Sequence, residues 1–153
     1  MDKVVIYTDG SSRGNPGPGG FGALLMWGGK AKEISEAYRK TTNNRMELLA
    51  VIKALLSLKK NEYPIHIYTD SKYVVESVEK KWLDNWIKTN FKGGKKNKDL
   101  WLQYHDISKK FKIHFHWVKG HADNPYNNRC DELATLAADN GPWLIDSEFE
   151  TNQ

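Results

Sequence analysis

Two short runs end in the same four residues: Ile6-Tyr7-Thr8-Asp9 and Ile67-Tyr68-Thr69-Asp70. An Asp that ends a strand ordinarily opens a turn or caps a helix. At the ends of neighbouring parallel strands, however, two of them meet on the carboxyl edge of a sheet, where open α/β proteins place their sites. Glu47 adds to this pattern, because Ala50, Val51, Ala54 and Leu58 follow it at helical spacing. A carboxylate therefore heads an otherwise apolar stripe. Asp131 is placed similarly, on a face with Ala134, Thr135 and Ala138. A first-turn acid favoured by a helix dipole is the ordinary account of either residue. Carboxylates gathered at one edge repel one another unless cations separate them. Their hard oxygens suit Mg²⁺, which binds a few protein oxygens together with water and substrate phosphate. Two ions about 3.5–4 Å apart stabilise both the attacking and the leaving oxygen of a phosphoryl displacement. The sequence offers no Cys/His cluster for zinc and no phosphate loop of the G-x-x-x-x-G-K-[ST] kind.

The elements that must position these acids can be read in outline. Strands are expected at 3–8, 21–27 and 31–39, forming an antiparallel meander around the Gly/Pro-rich loop 14–20 and the Gly28-Gly29 turn. A helix over 43–58 lacks Gly and Pro and has Thr and Asn available to cap its start. Then come a strand at 64–69, helices at 71–80, 82–88 and 99–111, a strand at 113–118 and a helix at 127–140, stopped by Gly141-Pro142. Strands alternating with helices imply parallel pairing with right-handed crossovers. The expected fold is α/β, a five-stranded mixed sheet flanked by helices, with the three-strand meander joined to two parallel strands.

The chain's 153 residues suit one domain. With 39% hydrophobic and 12% aromatic residues it is not a disordered polymer. It has no run of the roughly 20 apolar residues a membrane span needs, and no secretion signal is read at its start. Cys130 is the single cysteine, which fits a reducing, cytoplasmic setting. The net charge of +4 hints at a polyanionic partner. Its distribution is uneven. The last residues carry Asp146, Glu148 and Glu150 without Lys or Arg, which leaves the remaining body at +7. This tail, 142–153, is expected to fray beside a single domain spanning 1–141. Positive charge gathers between Lys80 and Lys98, where seven lysines face one acid, Asp84, with Trp82, Trp86 and Phe91 interleaved.

Together these residues resemble the type 1 ribonuclease H family, over about Val4 to Asp139. The resemblance rests on Tyr7-Thr8-Asp9-Gly10-Ser11 with the loop from Gly14 to Gly20, and on Thr42-Asn43-Asn44-Arg45-Met46-Glu47-Leu48. It rests also on Tyr68-Thr69-Asp70-Ser71, Trp117-Val118-Lys119-Gly120-His121, and Asn127-Asn128-Arg129-Cys130-Asp131-Glu132-Leu133-Ala134. Any one motif would be weak, whereas all of them in order are specific. The resemblance implies a metal-dependent endonuclease that cuts the RNA strand of RNA–DNA hybrids, leaving 5′-phosphate and 3′-hydroxyl ends. Asp9, Glu47, Asp70 and Asp131 match the catalytic, metal-holding acids, for two Mg²⁺ ions with Mn²⁺ as a substitute. His121 matches the histidine that assists proton transfer or product departure.

Asn15, Asn43, Asn44 and Asn127 fall where the family's groove meets the duplex, and Lys40, Thr42 and Asn97 where it grips a DNA-strand phosphate. The stretch from Lys80 to Lys98 resembles the basic protrusion of bacterial members, with Lys88, Lys92, Lys95 and Lys96 for phosphates and Trp82 and Trp86 for sugars. Lys72, after Asp70-Ser71, departs from the usual neutral residue and makes the groove more basic. Asp123-Asn124 departs from the pattern after His121 and bears on product release. A monomer without an additional N-terminal hybrid-binding module is expected. A non-catalytic binding module on the same fold would lack one or more of the acids, and all four are present. A DNA-directed integrase-like nuclease fits the Asn-rich groove and the protrusion less well.

Overall fold

The computed structural model describes residues 3–60, 62–119 and 123–151. Three antiparallel strands come first: β1 (Val4–Ser12), β2 (Gly17–Trp27) and β3 (Lys30–Thr41). Then follow α1 (Asn43–Leu56), β4 (Ile65–Thr69), α2 (Lys72–Glu79), α3 (Trp82–Lys88), α4 (Lys98–Ser108), β5 (Ile113–Trp117) and α5 (Pro125–Asn140). The chain ends in a two-residue strand, β6 (Trp143–Leu144), and a short helix, α6 (Ser147–Thr151). The sheet order is β5-β4-β1-β2-β3-β6, with β4 parallel to β1 and β5 parallel to β4. No helix among the described residues is long and apolar enough to cross a membrane.

The α/β architecture is the expected one, with a sixth strand added. Two local differences have clear causes. The sheet runs further into the Gly/Pro-rich loop than composition suggests, because Ser11 and Ser12 pair with Gly20 and Gly19. The last long helix begins at Pro125, because the Asn124 carboxamide oxygen accepts from the N–H groups of Tyr126 and Asn127. That cap moves Asp131 from the helix start into its second turn.

The main core lies between the sheet and α1, α2 and α4. Ile6, Phe21, Leu25, Ile65 and Ile67 of the sheet meet Met46, Leu48, Val51, Ile52 and Leu55 of α1 there, with Trp101 behind. Helix α1 is buried almost all round from Arg45 to Ile52. On the other face α5 covers β1, β2 and β3. Gly22 permits that approach, since a Cβ there would stand 2.6 Å from the Cys130 carbonyl oxygen.

Among the described residues, 142–151 of the tail are tied to the body by side-chain contacts. Asp146 is buried, with its carboxylate accepting from Thr41 Oγ1 at 2.8 Å and from Arg45 Nε at 2.7 Å. Arg39 holds Glu150 through two further hydrogen bonds. A buried guanidinium on α1 thus draws down an acid that composition alone marks as solvated.

Candidate active site

The two identical tetrapeptides lie side by side. In the parallel β1–β4 pair, Ile6 is opposite Ile67 and Tyr7 opposite Tyr68, so Asp9 and Asp70 leave the same sheet edge at the same level. Hydrogen bonds fix the backbone around Asp70. The Ser71 N–H donates to Thr69 Oγ1 at 3.1 Å, and Ser71 Oγ accepts from the Val74 N–H to cap α2. Trp117 Nε1 donates to the Asp70 carbonyl at 3.1 Å. On β1, Asp9 Oδ1 accepts from the Gly10 N–H at 2.9 Å.

Gly10 is what admits Glu47. A Cβ on Gly10 would stand 2.4 Å from the Glu47 nitrogen and 2.6 Å from the Met46 carbonyl carbon, so only glycine lets α1 lie this close to β1. The start of α1 is set by Thr42, whose Oγ1 accepts from the Arg45 N–H. Asp9, Glu47 and Asp70 each then offer a carboxylate oxygen within 4.8 Å of the others. Asp9 and Glu47 are both 5% exposed.

Such crowding without a counter-charge shows in the acidities. Burial, then the Asp70 charge, pushes Asp9 up to about 8. Burial first, and then the charges of Asp9 and Asp70, hold Glu47 well above the ordinary carboxylate range. Glu47 Oε1 is buried and has no hydrogen-bond partner among the described residues. A buried acceptor left open beside two further carboxylates fits a hard divalent cation, so these residues suit a metal. Asp131 stands outside this trio. It is exposed, and its charge reaches Asp9 as a minor upward influence. The inward face of α5 is instead Asn127, Cys130, Ala134 and Ala138. His121, with Gly120 and Ala122, lies outside the described residues.

The other expected residues divide by what their side chains already do. Asn15 accepts from the Asn43 N–H at 3.1 Å, which ties the β1–β2 loop to the start of α1, and Asn44 is exposed beside them. Asn127 is buried, and its Oδ1 has no partner among the described residues. Lys40 is exposed. Asn97 is engaged, donating to the Tyr73 hydroxyl and accepting from Arg45 Nη1. It shares a concavity of about 680 Å³ with Lys95, Lys96, Lys98 and the tail residues Glu148 and Phe149. Lys72 sets its ammonium 5.0 Å from the centre of the Trp117 ring.

In the protrusion Lys88, Lys92, Lys95 and Lys96 are exposed, as is Trp82. Trp86 packs edge-on to Trp101 at 6.0 Å and lies 5.8 Å from Lys95 Nζ. Phe91 is buried in the core, so it anchors the protrusion rather than offering a surface to sugars.

The family model described as RNase H matches residues 1–139. The chain belongs to the ribonuclease H family. The ribonuclease H of Chlorobium phaeovibrioides is 49% identical over 144 residues, covering 92% of this chain and 98% of that one. That of Clostridium botulinum is 51% identical over 146 residues, covering 91% and 97%. Among solved structures, LC9-RNase H1, a type 1 RNase H with the type 2 active-site motif, superposes with a TM-score of 0.80. It is 28% identical and covers 99% of this chain and 80% of that one. LC11-RNase H1, solved in complex with an RNA/DNA hybrid, gives 0.69 at 27% identity, covering 89% and 96%.

Sequence reasoning missed one polar assembly in this family member. Arg45, inside the Asn-Asn-Arg-Met-Glu motif, joins Asp99 of α4 and Asp146 of the tail, at 2.7 Å from each. Burial opposes its charge, but hydrogen bonds to Asp99 and Asp146 raise the guanidinium above its ordinary value. An Arg at the third position of a helix otherwise buried nearly all round was the available signal.

Proposed function

We propose that this chain hydrolyses the RNA strand of RNA–DNA hybrids at the Asp9–Glu47–Asp70 cluster, with Asp131 beside it. A water oxygen attacks phosphorus and the P–O3′ bond breaks. One fragment keeps a 5′-phosphate, and the other takes a proton on its 3′-oxygen. The observation that carries this reading is the set of three carboxylates within 4.8 Å, two where the parallel β1–β4 pairing ends and one on α1, whose buried Oε1 has no partner among the described residues. The hybrid held by LC11-RNase H1 supports the choice of substrate.

In this reading the four acids hold two Mg²⁺ ions, with Mn²⁺ as a substitute. Asp9, Glu47 and Asp70 would hold metal between them, and Asp131 would join them from α5. Bound Mg²⁺ supplies Lewis acidity and positive charge to a phosphodiester hydrolysis. The chain's own part is to gather the acids and to hold Asp9 and Glu47 away from bulk water. Glu47 also accepts from a substrate 2′-hydroxyl, which favours RNA on the cut strand. His121 assists proton transfer or product departure.

Asn15, Asn43, Asn44 and Asn127 meet minor-groove edges and ribose hydroxyls, to which amides can both donate and accept. Lys40, Thr42 and Asn97 grip a DNA-strand phosphate. Lys72, Lys88, Lys92, Lys95 and Lys96 neutralise further phosphates, while Trp82 and Trp86 pack on sugars. We read the chain as a monomer, and the lone Cys130 as suited to a reducing cytoplasm.

The test is a gel assay of labelled RNA–DNA, RNA–RNA and DNA–DNA duplexes with Mg²⁺ and with EDTA. Only RNA in the hybrid should be cut, and only with the metal. Equal cutting of DNA–DNA, or full activity in EDTA, rejects the proposal.

A further inference from the structure

The sheet face that α5 covers over β1, β2 and β3 extends past it onto β4 and β5, the strands at one edge. In the parallel β4–β5 pair, His66 is opposite His114 and Tyr68 opposite His116. Alternation along each strand sends Ile65, Ile67 and Phe115 into the core and turns His66, Tyr68, His114 and His116 to the other face. A file of stacked rings results, running from Tyr126 of α5 through Tyr7, Tyr68 and His116 to His66 and His114. Sequence spacing pointed to no histidine cluster, because strand pairing, not spacing, brings His66 beside the other two.

The closest approach is between ring nitrogens: His66 Nδ1 lies 2.8 Å from His116 Nε2. One ring donates a hydrogen there and the other accepts. The His114 ring stacks 4.9 Å from that of His66, and its side chain is exposed. Among the described residues no carboxylate forms an ion pair with any of the three. Burial lowers the pKa of His66, and the charges of His116, His114 and Lys3 lower it further. A neutral imidazole is the form that binds metal.

We propose that His66, His116 and His114 form a binding site for a borderline divalent transition ion such as Zn²⁺ or Ni²⁺, separate from the acid cluster. Zn–N bonds of about 2.0–2.1 Å in a tetrahedral shell place two ligand nitrogens about 3.3 Å apart. The existing pair therefore has to open by only about half an ångström to admit the ion. The ring that now donates moves its proton to its other nitrogen, so no net proton is released. His114, on the same strand and face as His116, supplies a third nitrogen by side-chain rotation, and water completes the shell.

Imidazole selects such ions and not Mg²⁺, which prefers oxygen. His66 lies about 13 Å along β4 from Asp70, four residues of strand away, and His116 is level with Tyr68. Its occupant would staple the edge strand β5 to β4.

The test uses the full chain without an affinity tag, in excess Mg²⁺, titrated with Ni²⁺ and separately with Zn²⁺ by calorimetry and against a chromophoric chelator. We expect one equivalent bound, with the imidazole NMR signals of His66 and His116 moving together. The double variant His66→Gln/His116→Gln should lose that equivalent, while Asp70→Asn keeps it. His114→Gln should weaken binding by about tenfold or more. At ion concentrations 100 times the dissociation constant, the folded-to-unfolded ratio of the unaltered chain should rise about 100-fold. The double variant should show no such rise although its circular dichroism and hybrid cleavage in Mg²⁺ are unchanged. Unaltered binding in the double variant, loss of the equivalent in Asp70→Asn, or no effect of His114→Gln would overturn the proposal.

Discussion

Replacing Asp9 with asparagine should stabilise the metal-free protein, and the gain should depend on pH. The side chain is 5% exposed, and burial together with the Asp70 charge moves its pKa from 3.8 to about 8. Because the folded value lies above the unfolded one, its contribution to wild-type stability is complete below pH 4 and is lost as the pH rises through 8. At 1.36 kcal/mol for each decade, the full span corresponds to an upper bound of about 5–6 kcal/mol. Water entering the opened cluster offsets part of that. The new amide keeps the Gly10 hydrogen bond through its oxygen and can donate to Glu47. We therefore expect Asp9→Asn to match the wild type near pH 4 and to exceed it by about 1–3 kcal/mol at pH 9. For a chain of this size that is about 2–4 °C in Tm for each kcal/mol. Urea unfolding in EDTA across this range measures the difference directly, and adding Mg²⁺ should close or invert it. A gap that stays constant with pH, or a variant less stable at pH 9, would refute the reasoning.

Other expectations follow from the same geometry. His121→Ala should slow single-turnover cleavage without abolishing it, since metal held by the acids would supply the main electrostatic part; complete loss would show a larger role. Replacing Lys88, Lys92, Lys95 and Lys96 together with Ala should raise KM for hybrid severalfold and leave kcat nearly unchanged, as expected of uniform binding. The same variant should flatten the log–log salt dependence of binding by roughly 0.9 for each phosphate that is no longer neutralised. Asp146→Ala should cost about 2–4 kcal/mol in urea unfolding, because it strips a buried guanidinium of one of its two carboxylate partners. Glu150→Ala should cost far less, since its partner Arg39 is more than half exposed and the pair is screened by solvent. Equal costs for the two tail variants would contradict the buried-pair argument.

The repeated tetrapeptide was readable because strand register is a local matter of hydrophobic alternation, and identical runs align identically. Glu47 was readable because its helix stripe is otherwise apolar. Asp131 was placed less well, since Pro125 and the Asn124 cap shift the helix start and leave Cys130, not Asp131, on the inward face. The docked tail and the histidine file escaped for a common reason. Each joins residues distant in the chain, Arg45 with Asp146 and His66 with His116, through polar groups that leave no periodic trace.

The central claim is tested most directly by single-turnover cleavage of an RNA–DNA hybrid labelled on its RNA strand. The wild-type chain and a folded Asp70→Asn variant should be compared in Mg²⁺ and in EDTA. The account predicts rapid cleavage by the wild type in Mg²⁺, giving 5′-phosphate and 3′-hydroxyl ends, and almost none by the variant or in EDTA. Near-wild-type cleavage by Asp70→Asn, with its fold confirmed by circular dichroism, would contradict the account.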